Sequence, residues 1–237
     1  MQYRGKHYKQ RISSHEALRG WVFFALYLVV FPLVMGIIQR SVGGEFPVAE
    51  ASVIYYLLSA TVVFLVFWNY LKNSFCHLLD HIPETLNAFF VSLIGAALFQ
   101  YLVMLFPYPV ENPNRYSYPT QFSLSPSATV AIVVVLIPLV EEVLFRGLLF
   151  GSLQPFGKPL AWAVSIVFYC VYCVWQFTFS YGSVDLRYLA LMLQYLPAAV
   201  AFHWCFDKGG NIWASILLHM AINALSLFSV ITRFTVL

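Results

Sequence analysis

The sequence predicts an all-α, polytopic transmembrane helix bundle of about seven spans. Three observations predict it. Of 237 residues, 61% are hydrophobic and 10% charged, against about 45–50% apolar and about 25% charged in a soluble domain. The mean hydropathy is +0.77, which is more apolar surface than one water-soluble core of this size can hide. The apolar residues also fall in runs near the ~20 residues that cross a bilayer. The same composition excludes a disordered, collagenous, coiled-coil or disulfide-framed chain. A net charge of +3 on 13 Lys and Arg is too dispersed for a nucleic-acid footprint.

Spans are expected at 20–39, 50–71, 86–106, 127–153, 160–180, 187–206 and 211–230. The first is too long for a cleaved signal and lacks a small-residue cleavage site. Residues 1–19 before it form a basic tail carrying Arg4, Lys6, Lys9, Arg11 and Arg19. That tail suits an anionic cytoplasmic leaflet and sets the topology. With the N-terminus inside, Lys72, Lys158 and Lys208 join it there, whereas Arg40, Arg115, Arg187 and Arg233 fall outside. This asymmetry predicts a cytoplasmic N-terminus and an outside C-terminus.

Residues 20–126 hold three spans and a connector rich in Pro, Asn, Ser and Tyr (107–127), read as either a partly ordered cap or a plain link. The stretch CHLLDHIPETL places His77 and His81 four apart, beside Asp80 and Glu84. H-x-x-x-H on a helix can bind zinc, but the Glu of H-E-x-x-H is missing, so an interfacial turn is expected. Residues 127–230 carry the chemistry, and 231–237 are a short tail. Cys76, Cys170, Cys173 and Cys205 lie in or beside apolar runs, where free Cys behaves as a small hydrophobe. The C-x-x-C of Cys170 and Cys173 lacks the βαβ context of a redox motif.

A charge inside a span costs about 2.5–3.5 kcal/mol and marks function by default. The fourth span holds three charges in IPLVEEVLFRGLLF: Glu141, Glu142 and Arg146. Glu142 and Arg146, four apart, share one helical face and suit an ion pair. Glu141 points about 100° away, and a carboxylate without a local cation suits general acid–base work. The last span places His219 and Asn223 four apart, and the fifth does the same with Phe168 and Tyr172. Counting rise from the cytoplasmic helix ends puts Glu142, Tyr172 and Asn223 about 18 Å deep, with Arg146, Phe168 and His219 about 12 Å deep. Three helices are thus expected to meet in two layers. His203 lies late in the sixth span, nearer the surface.

E-E-x-x-x-R at 141–146, then H-x-x-x-N at 219–223 after G-N-I-W, resembles the CPBP family of intramembrane proteases. This is the CAAX-prenyl-protease and bacteriocin-immunity (Abi) family, and the resemblance covers about 127–228. It implies that Glu141 activates water, with Glu142 and Arg146 in support, and that His219 and Asn223 stabilise the oxyanion. The family's F-x-x-x-H motif falls on Phe168, so Tyr172 stands where a histidine is expected. A phenol is neither a base near neutral pH nor a good zinc ligand there. If the reaction uses a divalent metal such as zinc, Glu141 and His219 are the ligands that remain.

The resemblance implies an intramembrane endopeptidase acting on a membrane-associated protein or peptide, prenylated or not; the small size of the chain leans toward a prokaryotic plasma membrane. Membrane lipid is the other expected partner. Two alternatives stand beside it: a non-catalytic scaffold or immunity factor, to which Tyr172 points, and a proton-coupled transporter using Glu141, Glu142 and His219. Against the transporter, no pair of Gly/Pro-broken helices occupies matching positions in two halves.

Overall fold

The structure is a computed structural model. It describes residues 12–30, 32–34, 37, 41, 48–180 and 183–235. Most of the predicted basic tail therefore lies outside the described residues, as does part of the 20–39 span.

Helix α1 (Ser14–Ala25) starts on a capping box. The Ser13 Oγ accepts from the Glu16 N–H, and the Glu16 carboxylate accepts from the Ser13 N–H at 3.1 Å. Reciprocal bonds of this kind satisfy two helix-end donors at once. The other Glu16 oxygen accepts from the Tyr70 N–H at 3.1 Å, capping a second helix as well. α1 runs on through a wider π-helical turn, Leu26–Val30.

The structure departs from the predicted 50–71 span. Helix α2 (Val48–Val66) ends at Phe67, and the chain turns by 82° into α3 (Trp68–Asp80). Two local causes act together. Asn69, Lys72 and Asn73 make the second half too polar to continue inward, and the fully buried Phe67 ring wedges against Gly20. Six helices among the described residues are long and apolar enough to cross a membrane, and the bent pair makes a seventh.

Helix α4 (Ile82–Met104) carries Leu86, Phe90, Ile94, Leu98 and Leu102, all exposed and four apart. Such a stripe would drive aggregation in water and is what a lipid-facing helix presents. The predicted connector 107–127 contains helix α5 (Asn114–Leu124), so it is ordered. Helix α6 (Pro126–Phe156) is the longest span and the most buried, and it forms the axis of the bundle. Helix α7 (Lys158–Thr178) begins after Gly157, whose φ of 126° only glycine adopts readily. A two-residue antiparallel pair, β1 (Phe179–Ser180) with β2 (Ser183–Val184), pairs Phe179 with Val184. Beside it, Arg187 holds the Asp185 carboxyl below its usual range through their hydrogen bonds.

Helix α8 (Met192–Gly209) stops at Gly210, in the left-handed conformation at φ 68°. Helix α9 (Ile212–Thr235) completes the bundle. Its first turn is tied down by side chains of α3 and α4. Ser74 Oγ accepts from the Ile212 N–H at 2.8 Å, Trp213 Nε1 donates to the Leu71 carbonyl, and Asn211 donates to Thr85 Oγ1. Lys158 and Asp207 pair at 2.7 Å nearby, so this end of the bundle also joins α7 to α8. The opposite end carries α5, where Asn112 and Asn114 both donate to Tyr195 Oη at 3.1 Å.

Candidate active site

The site is built on α6, which crosses the middle of the bundle. Two of its stretches, Ala131–Leu136 and Val143–Phe150, are wound as π-helix, one on each side of the Glu141–Glu142 pair. Wide turns of this kind concentrate at functional sites. Each is pinned by a neighbour: Asn223 Nδ2 donates to the Val133 carbonyl at 2.8 Å, and Ser165 Oγ donates to the Phe145 carbonyl at 3.0 Å.

Glu142 is fully buried, and its Oε1 is the hub. Arg146 Nη1 donates to it at 3.0 Å, and His219 Nδ1 lies 2.8 Å from the same oxygen. The Arg146 guanidinium is fully buried too, 4.2 Å over the Tyr169 ring and 5.0 Å from that of Phe202. Its Nε and Nη2 have no hydrogen-bond partner, so the two aromatic faces supply what solvation it has. The His219 imidazole stacks on Phe202 with centroids 4.2 Å apart. Carboxylate and ring stack together fix the imidazole's orientation, with Nδ1 committed to Glu142 and Nε2 left for chemistry.

Glu141 lies 6% exposed beside this hub. Its electrostatic neighbours are His219, Glu142, Arg146 and Tyr169. Tyr27, Tyr55, Tyr56, Tyr118, Tyr172 and Tyr195 also stand within electrostatic range. These phenols come from α1 and its continuation, α2, α5, α7 and α8.

Glu142 meets Arg146, as their spacing predicts, and reaches from its expected layer to His219 in the next. Tyr172 and Asn223 bond elsewhere, to Tyr27 Oη at 3.0 Å and to the Val133 carbonyl. Phe168 is 41% exposed and packs on Phe24 and Phe145 at the rim. His203 is fully buried between Phe150 and Trp162, bonded to the Ala199 carbonyl, and does not join the site. The His77 and His81 rings lie 4.2 Å apart, tilted by 34°, at the turn between α3 and α4. Cys170 and Cys173 are free thiols.

Sequence reasoning missed Tyr169, Phe202 and Tyr27. Tyr169 was within reach, since it lies three residues before Tyr172 on the same face. Nothing local distinguishes Phe202 or Tyr27 from other apolar-span aromatics. Among the described residues, no three His, Cys, Asp or Glu side chains converge as metal ligands. Glu141 and the free Nε2 of His219 are two donors where a catalytic zinc site uses three, and a phenol stands at the third position, so the donor set falls short of a zinc site.

The motif spacing and this geometry agree with one further finding. Residues 123–225 match the family model described as type II CAAX prenyl endopeptidase Rce1-like. They form an Rce1-like segment. It runs from the end of α5 through α6, α7 and α8 into α9, and contains Glu141, Glu142, Arg146, Tyr172, His219 and Asn223. α1 to α4 lie outside it. No curated protein and no solved structure matches the chain. Long apolar helices around an Rce1-like segment make this an integral membrane protein, and the segment supports the CAAX-type intramembrane protease kind.

Proposed function

We propose that the protein is an intramembrane endopeptidase in which Glu141 activates water against a peptide bond of a membrane-associated protein or peptide, prenylated or not. The observation that carries the reading is the Glu142 hub. It fixes one histidine beside a second, buried carboxylate.

Glu141 takes a proton from water as the oxygen attacks the scissile carbonyl. The tetrahedral oxyanion then accepts from His219 Nε2, the ring being held through Nδ1 by the Glu142 carboxylate. Asn223 keeps one amide hydrogen free of Val133, and this is the second donor. Donors fixed in advance in this way are worth about 2.7–4 kcal/mol each. Collapse of the intermediate breaks the C–N bond, and the proton on Glu141 passes to the leaving amine. No step needs a metal. The Lys/Arg asymmetry supports a cytoplasmic N-terminus, with a prokaryotic plasma membrane as the setting.

A second reading is a non-catalytic membrane scaffold or immunity factor. It is favoured by Tyr172, whose hydroxyl is engaged by Tyr27. One experiment separates the two: cleavage of fluorogenic peptides, prenylated and not, by purified wild type, Glu141→Gln and Tyr172→His. Cutting by wild type and its loss in Glu141→Gln is the expected result. An inert wild type with an active Tyr172→His would establish the second reading.

A further inference from the structure

The position held by Tyr172 is shared with a second phenol from outside the Rce1-like segment. Tyr172 Oη donates to Tyr27 Oη across 3.0 Å. Tyr27 is 1% exposed and lies in the π-helical turn of α1, a winding that recurs at functional sites. Its ring lies parallel to that of Tyr55, centroids 6.0 Å apart, and its carbonyl accepts from Tyr55 Oη at 3.4 Å. Tyr27 and Tyr172 both stand within electrostatic range of Glu141.

We infer that Tyr27 and Tyr172 act as one hydrogen-bonding unit that orients the water at Glu141, with Tyr27 a positioning residue supplied by α1. A neutral imidazole presents one donor and one acceptor on two separate atoms. A lone phenol puts both on one oxygen. Two phenols in series restore the split. One O–H is used between them, which leaves the Tyr27 O–H as outward donor and the Tyr172 oxygen as outward acceptor. A phenol ordinarily titrates near 10, so the pair orients water without taking its proton, and Glu141 is left as the only base. The inference rests on the proteolytic reading above.

The test compares Tyr27→Phe, Tyr172→Phe and the double variant, each single change removing one oxygen. In peptide cleavage each single variant should lower kcat about tenfold with KM nearly unchanged, less than the roughly 10²–10⁴-fold that a group transferring the proton itself supplies. The double variant should be no slower than the worse single one. A second arm needs no substrate: pH-difference infrared spectroscopy of the Glu141 carboxyl band, identified by its loss in Glu141→Gln. Either single variant should shift that band, and the double variant should shift it equally. Additive rate losses, or an unmoved band with only thermal stability changed, overturn the inference. If wild type cuts nothing, the proteolytic reading fails and the infrared arm alone decides. If one single variant fails to fold, the other is read in its place.

Discussion

Glu142 is a buried carboxylate whose two oxygens have unequal surroundings. One oxygen takes both Arg146 and His219, the other has no partner, and neither Glu142 nor Arg146 touches solvent. Removing one member of a buried pair strands the other, which costs about 3–5 kcal/mol. Glu142→Gln or Arg146→Leu should therefore lower the thermal unfolding temperature in detergent sharply. The double variant Glu142→Gln with Arg146→Met should recover part of that loss, because the stranded Arg146 cation is removed while His219 still has Glu141 beside it. Glu141→Gln, by contrast, should leave unfolding nearly unchanged while abolishing cleavage. Equal destabilisation by Glu141→Gln and Glu142→Gln would contradict the division of labour between the two carboxylates. The spacing of the trio made the Glu142–Arg146 pair legible, because both ends of that contact lie on one helix. It did not show that His219 would share the same oxygen.

At the scale of elements, the bend between α2 and α3 rests on close contact between α1 and Phe67. A Cβ added at Gly20 would lie 2.4 Å from the Phe67 ring and 3.2 Å from Leu148. That ring is fully buried and has nowhere to move. Gly20→Ala should therefore destabilise by about 1–3 kcal/mol, the usual cost of overpacking. Gly95, in the middle of α4, has nothing within 4 Å of its would-be Cβ. There the same substitution should stabilise by about 0.5–1 kcal/mol, since glycine costs that much in a helix interior. Thermal unfolding of the two variants side by side checks both. The sequence reading ran one span through Phe67 because hydropathy averages over about 20 residues. Asn69, Lys72 and Asn73 were visible in it, but a Glu16 side chain reaching across to cap α3 was not.

Across the whole molecule, the lipid-facing stripe of α4 and the amphipathic α3 place the bundle in the membrane. Trp68, at the start of α3, is 58% exposed. If α3 lies along the headgroup plane, fluorescence from a variant keeping only Trp68 should be quenched more by lipids brominated near the glycerol than near the chain ends. The opposite order would mean that α3 enters the hydrocarbon and completes a broken span. At the other end, α5 is held over the Tyr195 hydroxyl by Asn112 and Asn114. The connector thus holds a helix tied to α8, where the sequence reading left a partly ordered cap and a plain link side by side.

The sequence by itself determined the class, the approximate spans, and the one intrahelical pair at the heart of the site. Each of these is local: hydropathy over a window, or a spacing of four residues along a single helix. The tertiary structure alone decided that His219 bonds to Glu142, that Asn223 reaches Val133, and that Tyr172 bonds to Tyr27 from the first helix. Those contacts depend on the tilt and rotation of helices about their own axes and on the π winding of α1 and α6. A uniform rise of about 1.5 Å per residue gives depth along an axis, but it carries no information about which way a neighbouring helix is turned.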